Sequence, residues 1–229
     1  GHNTGRPLDP ETKKKFHNIL WDKAASKCEE NKNGEAVEWY NYSLSLFSPE
    51  ERQSINAGKL HRNICSCHIA FKDMEKARQS ITEAESSDRG NPLNSYFDFK
   101  IALFEKNNSK AITAMKRMSE SHDKLQNMDG LSIHDIICLA AQLALEDNNH
   151  EVAIPALESI IKHSTDNKQV ITAIRCLIRL KMNFLTEKEK RNDVNTTLFY
   201  LKTAVEKLSH VNQSSYGDHP AECIWFMKI

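Results

Sequence analysis

Polar turns alternate along this chain with stretches in which apolar residues recur every three or four positions, the period of an amphipathic helix. Four stretches repeat one pattern of polar turn followed by an alanine that opens a helix. They lie at Asn33–Tyr40, Lys72–Arg78, Asn107–Ile112 and Asn148–Ile154. Their key alanines are Ala36, Ala77, Ala111 and Ala153. Repeats of roughly 34–47 residues are the signature of stacked helical hairpins. The pattern predicts helices over 13–30, 34–47, from Pro49 to about Phe71, 73–86, 92–106, 109–122, 132–146, 149–163, 167–184 and 193–209. The first carries a stripe of Phe16, Leu20, Ala24 and Cys28, widened by Ile19 and Trp21.

Start signals sharpen these boundaries. Ser48-Pro49-Glu50-Glu51 and Asn91-Pro92 each read as an N-cap followed by proline at the first helical position. Ser132 reads as a cap, and Thr186 with Glu189 as a capping box. The stretches 123–131 and 211–220 read as loops. Pro155 is costly beyond a first helical turn, which predicts a late helix start near residue 152.

The clearest unit, Leu60 to Ala84, resembles the tetratricopeptide repeat. Ile64 and Cys65 take its large-then-small pair, His68 its aromatic position, Ala77 and Ala84 its small positions and Ile81 its bulky one. Small residues are needed where the two helices of a hairpin approach most closely. Ile137 to Ile160 matches through Ala140, Ala141, Ala144 and Ala153. The first unit matches through Trp21, Ala24, Ala25, Cys28 and Ala36, with a turn shorter by one. The third, Phe97 to Met118, is degenerate. The predicted fold is an all-α, right-handed tetratricopeptide-like α-solenoid of about five hairpins with the start of another. It spans residues 13–229 after a disordered or tag-derived lead of 1–12, and is cut short at its C-terminal end.

Composition narrows function. Of 229 residues, 31 are Lys or Arg and 31 are Asp or Glu, so the formal charge is zero. That argues against a nucleic-acid surface. No apolar run has the length of a membrane span, and no export signal is visible, so the sequons at Asn41, Asn107, Asn195 and Asn212 read as chance. The six cysteines sit inside helical apolar patterns and read as reduced thiols of a nuclear or cytosolic protein.

His61, Cys65 and His68 share one helical face, with Cys67 adjacent, and such a set invites zinc. The repeat uses these same positions for packing, which explains the spacing without a metal. A Gly-rich phosphate loop, a His-Glu-x-x-His and a nucleophile elbow are all missing from the sequence. No cofactor and no catalytic residue is predicted. In such repeats the first helix of each hairpin lines the concave face. That projection places Arg62, Asn63, Ser66, Tyr96, Lys100 and Gln142 in a partner-binding groove. Asp22 and Ser26 stand where a chaperone-type carboxylate clamp needs basic and Asn residues. Ile224, Trp225 and Phe226 form a terminal apolar contact, predicted to pack back on the preceding helices or to mediate self-association.

Four stretches carry a more specific resemblance: Glu35–Phe47, Lys59–His68, Phe99–Phe104 and Glu222–Ile229. They are similar to the sporulation-specific protein 22 family of meiotic tetratricopeptide-repeat scaffolds. The resemblance implies non-catalytic protein–protein scaffolding in crossover formation and chromosome synapsis. It also implies a nuclear location on meiotic chromosomes and partners among other meiotic recombination or synaptonemal-complex proteins. A generic cytosolic peptide-binding adaptor of the same fold is the alternative, and a zinc-dependent module a more distant one.

Overall fold

The computed structural model describes residues 8–120, 132–184, 198–200 and 202–203. Among them are nine α-helices and no strand: α1 (Pro10–Glu29), α2 (Asn33–Ser45), α3 (Ile55–Ala70), α4 (Met74–Ser87), α5 (Pro92–Phe104), α6 (Asn108–Glu120), α7 (Ile133–Glu146), α8 (His150–His163) and α9 (Asn167–Phe184). Residues 198–200, 202 and 203, inside the predicted 193–209 helix, are also helical. The protein is all-α, with paired helices in repeated hairpins. Two compact units divide at Lys106 and Asn107, within the repeat that reads as degenerate. The first unit pairs α1 with α2 and α3 with α4, and α5 packs on α4 and α3. In the second unit α7 pairs with α8, α6 packs on both, and α9 packs on α8.

The turns explain why one pattern recurs. Asn31, Lys72, Lys106 and Asn148 all have positive φ, between 53° and 62°. Each stands five residues before its key alanine. The residue after the positive-φ position closes the turn by bonding five residues back. Lys32 N–H donates to the Lys27 carbonyl, Asp73 N–H to His68 and Asn149 N–H to Ala144. This is the Schellman ending of a helix. The same residue then opens the following helix. Asp73 and Asn149 accept side-chain bonds from Lys76 N–H and Val152 N–H, and Asn107 accepts one from Lys110 N–H. Ala36, Ala77, Ala111 and Ala153 make the first i→i−4 backbone bonds of helices α2, α4, α6 and α8, to Lys32, Asp73, Asn107 and Asn149. All four alanines are wholly buried. The first turn therefore has the same length as the others, correcting the shorter turn read from its sequence.

Other boundaries also move. Helix α1 begins at Pro10, capped by the Asp9 carboxylate on Thr12 N–H. Its packed face is rotated from the predicted stripe. Phe16 and Ile19 are about half exposed and Trp21 lies at the surface, while Ala24 is buried. His17 takes the place expected of Phe16, stacking on Phe47 at 4.5 Å with Nδ1 2.7 Å from the Ser43 hydroxyl. Ser48 and Glu51 do bond reciprocally, but they enclose only a three-residue 3-10 turn. Helix α3 restarts at Ile55 under a separate cap, Ser54. Helix α8 does not wait for residue 152. It begins at His150 and carries Pro155 inside it, leaving the Glu151 carbonyl without its i+4 donor. Asn91, Pro92 and Ser132 stand as read, and Ser132 completes a capping box with Asp135.

Candidate functional site

The first unit holds most of the predicted groove. Two core clusters lie on opposite sides of α3. Leu60, Ile64 and Cys67 pack with Ala24, Ala36 and Tyr40 of the first hairpin. Cys65 packs with Ala77, Ile81 and Ala84 of α4 and Ile101 of α5, with Ile69 and Phe97 against them. The alternation of Cys65 and Cys67 thus joins the second hairpin to the first on one side and to α5 on the other.

Arg62 is not a groove residue. It is 4% exposed, and its guanidinium donates to Asp88 at 2.9 Å and to Asn94 at 3.0 Å. Asn94 donates in turn to Glu85 at 2.7 Å and to the Asp88 carbonyl at 2.9 Å. The network fastens α3 to the α4–α5 turn. Gly58 makes it possible, because a Cβ there would stand 2.5 Å from Asp88 Cβ. A helical projection places Arg62 beside Asn63 but carries no information about Asp88, twenty-six residues away.

Asn63 is half-buried and Ser66 is exposed on α3. Asn63 pairs with the Tyr40 hydroxyl. On α5, Tyr96 and Lys100 are both half-buried. The Lys100 ammonium lies 5.8 Å from the Tyr96 ring centroid and 5.5 Å from that of Phe97. Burial lowers the Lys100 pKa, opposed weakly by the nearby Cys65. Aromatic faces offset part of that lost hydration. Gln142 belongs to the second unit, where it donates to Glu146 at 2.9 Å. Ile224, Trp225 and Phe226 lie outside the described residues, as does the Thr186–Glu189 pair.

His61, Cys65, Cys67 and His68 do not converge. Cys65 and Cys67 face different clusters, while His68 lies 6.3 Å from the Phe71 ring. Burial pushes both thiols up to about 12, which opposes the thiolate a zinc ion needs. Among the described residues no group of three or more His, Cys, Asp or Glu side chains is arranged to hold a metal ion. No described helix is long and apolar enough to cross a membrane.

No family model matches the chain. Its fold defines a class, an all-helical array of tetratricopeptide-like hairpins, compatible with a non-catalytic scaffold.

Proposed function

We propose that this chain is part of a protein–protein interaction scaffold of the sporulation-specific protein 22 family, acting in meiotic crossover formation and synapsis. The observation that carries the reading is the coincidence of two features. The hairpin array supplies a non-catalytic binding framework. Three of the four stretches resembling the family fall on its elements: Glu35–Phe47 covers α2 and its exit, Lys59–His68 lies in α3 and Phe99–Phe104 ends α5, while Glu222–Ile229 lies outside the described residues. The right-handed solenoid arrangement belongs to the same proposal. So do a nuclear location on meiotic chromosomes and partners from the recombination or synaptonemal-complex machinery.

Asn63, Ser66, Tyr96 and Lys100 are the proposed contact residues. They combine an aromatic anchor with hydrogen-bonding groups, the mixture that carries energy in protein interfaces. Affinity capture from meiotic nuclear extract and from somatic cytosol, with the chain as bait, tests the assignment. Recombination or synaptonemal-complex proteins should be enriched from the nuclear extract. Enrichment confined to cytosolic proteins would favour the generic adaptor instead.

A further inference from the structure

The sulfurs of Cys28 in α1 and Cys67 in α3 stand 3.6 Å apart, between the first two hairpins. Cys28 is half-buried, whereas Cys67 is 2% exposed. Cys28 packs against the core cluster that includes Cys67, Tyr40, Ala24, Ala36, Leu60 and Ile64. A disulfide requires the two sulfurs to close from 3.6 Å to ~2.05 Å. Cys65, two residues away, faces the other core cluster and does not compete.

We propose that Cys28 and Cys67 are a modification site, a dithiol that hydrogen peroxide converts to an intramolecular disulfide stapling the first helices of two successive hairpins. The Cys28 thiol ionises, and its thiolate attacks one peroxide oxygen. An S–O bond forms, the O–O bond breaks, and the departing hydroxide takes up the proton the thiol released, giving water. The Cys67 sulfur then attacks the Cys28 sulfur. The S–S bond forms, the S–O bond breaks, and the second hydroxide leaves as water with the Cys67 proton. Two thiols lose two electrons, and one peroxide becomes two waters. A dithiol reductant reverses the reaction. Cys28 leads because it is the less buried of the two. Cys67 resolves, and because burial pushes its thiol up to about 12 and thiolate is the attacking species, its attack is the slow step.

The test treats the full chain with stoichiometric hydrogen peroxide and maps its peptides without reduction by mass spectrometry. A Cys28–Cys67 linked peptide should dominate and disappear on reduction. The oxidised chain should melt roughly 5–10 °C above the reduced one, because the link closes a long loop. Cys67→Ser should instead accumulate a sulfenic acid at Cys28, trapped by dimedone. Mono-oxidised or unreacted Cys28 in the wild type, with no linked peptide, would overturn the proposal. So would linked peptides joining Cys28 equally to Cys65, Cys138 or Cys176. The decisive readout comes from the unaltered chain and does not depend on a variant folding.

Discussion

Single residues carry two costs that can be relieved. Lys72 occupies the left-handed region at φ 62°, which costs a residue with a Cβ about 1 kcal/mol relative to glycine. Lys72→Gly should therefore raise stability by about 0.5–1 kcal/mol, read as a higher denaturation midpoint at unchanged slope. A lower midpoint would mean that the Lys72 side chain contributes more than its backbone costs. His68 is the second case. Its Nδ1 is buried with no hydrogen-bond partner among the described residues. Burial lowers the pKa of His68, as it does for His17 and His61. The unfolded chain then binds more protons below pH 6.5, so folding stability is fully present above that pH and falls as acid is added. Melting temperature should drop between pH 7.5 and pH 5.5, before the depressed carboxylates Asp73 and Asp135 begin to titrate. His68→Phe, which supplies the aromatic residue the repeat favours, should flatten part of that drop and add about 1 kcal/mol. An unchanged pH profile in this variant would assign the acid sensitivity elsewhere.

Elements were legible in the sequence wherever a local signal settled them. The alanines at 36, 77, 111 and 153 predicted four helix starts because a wholly buried small residue and a polar turn are both written within a few positions. Asn91-Pro92 and Ser132 worked for the same reason: a cap acts on backbone groups two or three residues away. The failures involve competition beyond that range. Ser48-Pro49 has the right chemistry for a cap, but the chain must turn again at Ser54 before α3 can meet α2. His17 displaced Phe16 because the packed face of α1 is chosen by Phe47 and Ser43, on the far side of a hairpin. Pro155 is accommodated inside α8 because Val152, Ala153, Ala156 and Leu157 are buried around it, and that burial outweighs one lost backbone bond. Close approach at the alanines makes a firm prediction. Ala77→Leu and Ala153→Leu should each destabilise by ~1–3 kcal/mol through overpacking. A wild-type melting temperature for either would show that the helices do not meet there. Gly58→Ala should be comparably damaging, since its Cβ would displace Asp88 and strain the Arg62 network.

At the scale of the whole molecule, paired helices repeat as hairpins in both units, and the candidate site is only partly legible in the sequence. Ser66 and Asn63 follow from the helical projection of α3, and Tyr96 with Lys100 from that of α5. Arg62 was drawn into the same set because projection sees one helix at a time, whereas its true partners, Asp88 and Asn94, arrive from a turn and the next helix. The Cys28–Cys67 contact was invisible for the same reason: thirty-nine positions separate residues that packing puts together. We propose that the α3–α5 face recognises a protein of the meiotic chromosome. The most direct measurement compares captures from meiotic nuclear extract by the wild type and by an Asn63→Ala, Tyr96→Ala, Lys100→Ala triple variant of equal helicity. Recombination or synaptonemal-complex proteins should be recovered on the wild type and lost, by tenfold or more at roughly 1.4 kcal/mol per decade, on the variant. Equal recovery by both would contradict the α3–α5 assignment, and recovery of no such protein by the wild type would contradict the meiotic reading itself.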